Sequence, residues 1–326
     1  MKRLAFISIF LVLCWTGYWF VGARALDAAF TGWFAEQRSA GWQADYSDLD
    51  VAGFPYRFDT TITQPALADT AAGWAWRAPY LQLLSLSYKP NHLIVALPLN
   101  IALQTPLDSY AVSNTSARAS LVMSPNTSLA VDRTTTVIES PVLTSGKGWG
   151  LQASQLRLAA RVLDDAPTTY QIGLTVADLK SVQANRELPG GTGQITANLT
   201  VLFSAPWDRK ALEQARPQPQ SIQIHKADTT WGQMELKLAG TLTVDAAGLL
   251  TGEIVVKALN WREILSLGIA NGAISESMER PLTRGLELAS GLSGSSKTLD
   301  VPLTFRRGTI YIGPIPLAPA PVLKIR

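Results

Sequence analysis

The sequence predicts a mostly β protein: an N-terminal transmembrane helix, then a large antiparallel meandering or curved sheet, groove or sandwich, with one or two C-terminal helices packed on it. Three observations lead there. Leu4–Val21 runs eighteen residues without a charge. After Gly41, apolar residues recur at every second position in one segment after another. Helical spacing returns only at Trp207–Ala215 and after Asn260.

Taken in order, the first element is the anchor. Eighteen helical residues rise about 27 Å, just enough for a hydrocarbon core of roughly 30 Å. Leu4 and Phe10 lie within the run, and Trp15, Tyr18 and Trp19 gather at its far end, where aromatic rings prefer the membrane interface. Lys2 and Arg3 before it hold the N-terminus on the cytoplasmic side, against Arg24 after it. The expected division is a cytoplasmic segment 1–3, a span 4–21, a membrane-proximal helix 22–40 and an extracytoplasmic domain 41–326. The competing reading is a signal peptide cleaved after Ala25, since Ala23 and Ala25 are small residues at the two positions a peptidase reads. The apolar run exceeds the usual core of about 7–15 residues. The helical pattern also continues through Leu26, Ala29, Phe30 and Trp33 until Gly41.

The body follows. Between Gln233 and Val244, Met234, Leu236, Leu238, Leu242 and Val244 alternate with polar residues, the pattern of a half-buried antiparallel strand. Phe58–Ile62, Leu81–Tyr88, His92–Leu97, Tyr110–Met123, Leu129–Ile138, Gln152–Arg161, Tyr170–Val176, Ile195–Phe203, Glu253–Ala258 and Leu299–Phe305 read the same way. Turn signals such as Asp164-Asp165-Ala166-Pro167, Pro189-Gly190-Gly191 and Asp245-Ala246-Ala247-Gly248 separate them. Asn260 is placed to cap a helix with Glu263 closing the box. Ile274, Met278, Leu282 and Leu286 then recur at spacing four, and Pro281 is expected to break or kink that run. Pro314, Pro316, Pro319 and Pro321 confine the C-terminus to an extended edge or tail. Trp149-Gly150 and Trp231-Gly232, 82 residues apart, suggest repeat halves near 41–205 and 206–326.

Composition excludes more chemistry than it suggests. The 28 basic and 25 acidic residues balance once Lys2, Arg3 and Arg24 are set aside, so no basic face for nucleic acid is expected. One cysteine, Cys14, excludes disulfide scaffolds and cysteine-based zinc sites. His92, expected at a turn with its ring bonded to backbone, and His225, expected as a solvated strand residue, share no motif with an acid. Gly146-Lys147-Gly148-Trp149-Gly150 lacks phosphate-loop spacing. No metal, no cofactor and no catalytic residue is expected. Ten tryptophans are the unexplained excess, and Trp74, Trp76, Trp149 and Trp231 are the candidates for lining an apolar groove.

Ala40-Gly41-Trp42, Gly53-Phe54-Pro55-Tyr56-Arg57-Phe58-Asp59, Gly73-Trp74-Ala75-Trp76, Ser87-Tyr88-Lys89-Pro90-Asn91-His92 and the segment Leu303–Pro321 occur in that order. In these the chain resembles the bacterial family called domain of unknown function 2125, over nearly its whole length, and more distantly AsmA-like envelope proteins. The resemblance implies an inner-membrane anchor, a periplasmic β structure and a link to lipid handling, and supplies no catalytic residue. The expected function is that of a membrane-anchored envelope protein whose β domain binds or shields lipid or another apolar component. The alternative is a non-catalytic scaffold that holds envelope proteins.

Overall fold

The computed structural model describes residues 2–184, 191–213, 216–270, 279–292 and 296–325. Helix α1 (Lys2–Ser39) is continuous, with no break between the apolar run and the membrane-proximal segment. It is one helix long and apolar enough to cross a membrane.

The rest is an antiparallel meander in strict chain order. Its first seven passes are each a strand interrupted near the middle. β1 (Gln43–Asp45) continues as β2 (Asp48–Ala52), β3 (Arg57–Thr63) as β4 (Ala66–Asp69), and β5 (Trp74–Arg77) as β6 (Tyr80–Leu86). β7 (Lys89–Leu97) continues as β8 (Asn100–Gln104), and β9 (Ser109–Ser113) as β10 (Ser116–Met123). β11 (Val131–Glu139) continues as β12 (Val142–Ser145), and β13 (Trp149–Gln152) as β14 (Gln155–Leu163). β15 (Ala166–Ala184) crosses the same line unbroken. Then come β16 (Gly193–Phe203), β17 (Pro219–Trp231), β18 (Met234–Val244), β19 (Leu250–Leu259), β20 (Thr298–Arg306), β21 (Thr309–Ile312) and β22 (Ile315–Pro319). Each pass pairs with the one before it.

The interruptions form a line. Pro65, Pro79, Pro98 and Pro141 stand on it and cannot donate to a ladder. Gln64, Ser140 and Asp178 take positive φ there, the local conformation of a bulge. Hydrogen bonds still cross from pass to pass, as in Gln64 N–H to Pro79 O (2.8 Å) and Thr115 N–H to Glu139 O (3.0 Å). The line divides the sheet into two leaves. One ends in the turns at 53–56, 87–88 and 124–130, the other in the turns at 70–73, 105–108 and 146–148. It also cuts the runs expected as single strands at Tyr110–Met123 and Gln152–Arg161. A two-residue break at Asn114-Thr115 or Ala153-Ser154 leaves little trace in a period-two pattern.

One apolar face runs through the meander. Leu83, Val95, Ala119, Thr136, Leu158, Leu174, Ala197, Ala227, Leu238, Val256 and Val301 are successive cross-strand neighbours. At the C-terminal end, α3 (Trp261–Ala270) and α4 (Glu279–Leu292) cover this face. There Trp261, Leu265, Leu282 and Leu286 pack with Leu242, Ile254, Val256, Val301 and Phe305. Arg262 ties the two helices through Glu287 at 3.0 Å. At the other end α1 covers it, with Phe34 on Ala44 and Ile62 and with Trp19 and Ala23 on Phe58.

Several local expectations change. Among the described residues, Trp207–Ala215 narrows to α2 (Arg209–Glu213). Asn260 does not close a capping box through its side chain: it takes φ +56 and its amide donates to Gln233 O at 2.7 Å, while its backbone carbonyl receives the Glu263 N–H at 3.0 Å. Pro281 sits in the first turn of α4, where a missing donor costs nothing, so it interrupts no described helix. Ile274, Met278 and the Pro189-Gly190 turn lie outside the described residues. Trp149 opens β13 whereas Trp231 closes β17, so the two Trp-Gly pairs hold different places in the meander.

Two outcomes follow. Gly240 has φ +156, and a Cβ there would collide with the Glu253 carbonyl. Gly240→Ala should therefore cost about 2–4 kcal/mol in urea unfolding of the detergent-solubilised protein. Tyr170 is 3% exposed; its O–H donates to Val131 O (3.1 Å) and its oxygen accepts the Trp207 N–H (3.4 Å). Burial pushes this phenol above its ordinary 10.0, the Trp207 N–H opposes, and Asp208 and Asp132 add to the rise. A raised pKa means that the folded state holds the proton more tightly. The associated stability is therefore full below pH 10 and is lost as pH rises beyond it. Tyr170→Phe should lower stability by about 1 kcal/mol at pH 7. It should also shrink the drop in urea midpoint between pH 7 and strongly alkaline pH.

Candidate functional site

The site is built around the contact between α1 and the first turn of the sheet. Gly53 adopts φ +101, where a side chain would collide with the Arg57 carbonyl, and the Arg57 N–H returns to Gly53 O at 2.9 Å. The Phe54–Pro55 peptide is cis. The turn aims carbonyls at the helix, and three aromatic donors meet them and its neighbour. Trp15 Nε1 donates to Pro55 O (3.0 Å), Tyr18 Oη to Ser87 O (2.6 Å) and Trp19 Nε1 to Arg57 O (2.7 Å). Trp19 stacks on Phe58 and meets Phe54 edge-on, and Phe20 stacks on Phe54. Gly22 completes the fit, for a Cβ there would lie 2.6 Å from the Phe58 ring.

Beyond this seam the helix and the sheet part, and a cavity of about 940 Å³ opens between them. Tyr18, Gly22, Leu26 and Phe30 line it from α1, and Phe58, Leu83 and Leu93 from the apolar face of the sheet. Met123, Pro125 and Leu129 close the far wall. Asn91 fixes that wall by donating to Met123 O (2.8 Å), and the Arg209 N–H holds it through Ser128 O (3.0 Å). Among the described lining residues Arg209 is the one charged group, and Thr60, Ser85, Asn91, Asn126 and Thr127 are polar. An apolar chamber with few polar groups at its margin suits a hydrocarbon ligand, and its volume lies near the top of the usual range of about 300–1,000 Å³. The apolar face continues past the cavity toward mid-sheet, where Leu158 is 40% exposed.

The expected groove tryptophans lie elsewhere. Trp74 and Trp76 stand on β5, Trp149 on β13 beside Tyr110, and Trp231 at the end of β17, all toward the far end of the strands. None of them lines the cavity. Of the anchor residues, Leu4 and Phe10 are exposed, whereas Trp15 and Trp19 bond the sheet. The pairing of the Gly-Phe-Pro turn with Trp15 and Trp19 across about forty residues had no local signal. His92 bonds the Ser120 hydroxyl (3.0 Å) rather than backbone, and His225 is exposed and bonds Thr200 (2.8 Å).

The polar face carries a feature that composition hid. Pairing sets Arg133 directly opposite Arg161, with Arg157 farther along the same strand. Asp132 answers Arg133 at 3.0 Å, and the Gln171 amide oxygen takes two N–H groups of Arg161. Among the described residues, no group of three or more His, Cys, Asp or Glu could hold a metal ion.

A family model described as an uncharacterized protein conserved in bacteria, DUF2125, matches residues 19–321. No curated protein and no solved structure matches the chain.

The seam makes a specific demand on Trp19, which is 5% exposed. Trp19→Phe, keeping a ring but losing the N–H, should cost about 1 kcal/mol. Trp19→Ala should cost about 3–5 kcal/mol, both read from urea unfolding in detergent.

Proposed function

We propose that this chain, which belongs to the DUF2125 family of uncharacterized bacterial proteins, stays in the membrane through α1 and shelters a lipid acyl chain between that helix and the sheet. The N-terminus is cytoplasmic and the sheet periplasmic in this reading, and the kinship to AsmA-like envelope proteins forms part of it. The observation that carries the proposal is the 940 Å³ apolar cavity built jointly by the anchor helix and the sheet. A hydrocarbon chain leaving the bilayer along α1 meets Tyr18, Leu26 and Phe30 on one side and Leu83 and Leu93 on the other.

Retention of the helix is supported by the same packing. Cleavage after Ala25 would remove Trp19 and Ala23 from the cluster around Phe58 and strip one wall from the cavity. In this reading the role is binding.

A photoreactive residue at Leu83 of the full-length protein, irradiated in intact cells, should yield adducts of lipid mass. The same residue at Trp76 should not. Leu93→Trp, which fills the chamber, should lower the Leu83 adduct at least about tenfold, corresponding to about 1.4 kcal/mol of lost binding. Equal lipid labelling at Leu83 and Trp76 would overturn the proposal.

A further inference from the structure

We infer that the turns at one end of the sheet are themselves inserted into the bilayer interface, so that the domain is held by a wedge of aromatic tips as well as by its helix. The inference rests on α1 being a retained membrane anchor, and not on what fills the cavity.

Trp15 is the first helix residue to bond the sheet, and Lys2–Cys14 are all exposed. Lys2 and Arg3 bound the apolar run on that side, and the eleven uncharged residues Leu4–Cys14 between them and Trp15 rise about 17 Å, whereas the hydrocarbon core is roughly 30 Å thick. The helix cannot cross the core with the part that is free of the domain. To span, it must also use residues near Val21, and the sheet turns bonded to Trp15, Tyr18 and Trp19 then descend with it to the interface or below.

The turns carry side chains suited to that depth. Phe54 is 51% exposed, Tyr56 64% and Tyr88 63%, and they project from the two turns that α1 grips. Leu129, 37% exposed, stands on the neighbouring loop. Aromatic rings with a polar handle are the residues favoured at the headgroup level. Farther along the same end of the sheet the turns are charged and exposed, with Asp164-Asp165 between β14 and β15, Asp245 between β18 and β19 and Arg307 between β20 and β21. Charged side chains avoid hydrocarbon, so the wedge is confined to the strands nearest the anchor. This geometry also brings the end of the cavity lined by Tyr18 and Tyr88 toward the lipid headgroups.

The test uses the full-length protein with Cys14→Ser and single cysteines at Phe10, Tyr56, Tyr88 or Ala71, each bearing a polarity-sensitive fluorophore. The protein is reconstituted in phosphatidylethanolamine–phosphatidylglycerol vesicles with or without nitroxide lipids. Labels at Tyr56 and Tyr88 should shift to the blue and lose most of their emission to the nitroxides, while the label at Ala71 in the far turn stays unquenched. Quenching at Phe10 with water-like emission at Tyr56 and Tyr88 would overturn the wedge and leave the anchor standing. Water-like emission at Phe10 as well would overturn the anchor and the wedge together. Leu93→Trp in the same background should leave the signal at Tyr56, which does not line the cavity, unchanged, which separates failure of the lipid-shelter reading from failure of this one.

Discussion

A sheet whose alternate residues are apolar must take one face out of water, and the described meander puts fifteen sequential passes behind that single demand. The chain meets it with helices at the two ends. α3 and α4 seal the C-terminal strands with Trp261, Leu282 and Leu286, and α1 seals the first strands with Trp19 and Phe34. Between them the cross-strand row holds the small residues Ala119, Thr136, Ala197 and Ala227, which expose little apolar area when left open, with Leu158 and Leu174 at its middle. Leu158 in that stretch is 40% exposed, a position where a hydrocarbon would gain most from resting. The cavity beside α1 is therefore the deep end of a partly uncovered face rather than an isolated hole.

α1 serves two solvents along its length. Its first turns expose Leu4, Phe6, Phe10 and Leu13, which suits lipid, while its second half buries Phe34 against Ile62. The change happens at Trp15, Tyr18 and Trp19, whose rings tolerate an apolar setting and whose N–H and O–H groups require acceptors. Carbonyls at Pro55, Arg57 and Ser87 supply them. Docking the helix thus satisfies backbone groups of the turns that the sheet ladder does not use.

Much of the architecture was legible before the structure. Period-two alternation gave the strands from β3 to β20 that carry long runs, and the glycine and proline clusters gave the turns. Short strands such as β4, β5, β8 and β12 were not legible, because four or five residues beside a proline hold too little periodicity to separate from loop. The site was less legible still. The tryptophan excess pointed to Trp74, Trp76, Trp149 and Trp231, all distant from the cavity, because counting aromatic residues says nothing of which end of a strand they occupy. The residues that do line it, Leu26, Phe30, Leu83 and Leu93, look in sequence like ordinary members of a helix and two strands. Only the pairing of distant elements makes them one surface. The Arg133–Arg161 juxtaposition was hidden for the same reason: the balance of 25 basic and 25 acidic residues after Arg24 does not reveal register.

The edges of the meander bear on the choice between lipid shelter and protein scaffold. A sheet that recruits partners by strand addition needs an open row of donors and acceptors at its margin. Here one margin, β1 and β2, lies against α1. The other, β22, contains Pro316 and Pro319, which offer no N–H to a further strand. Both margins are blunted, whereas the apolar face between the covering helices retains a chamber of about 940 Å³. A chain that blocks its edges and leaves part of its face uncovered is better arranged to receive a hydrocarbon on the face than a strand at the edge.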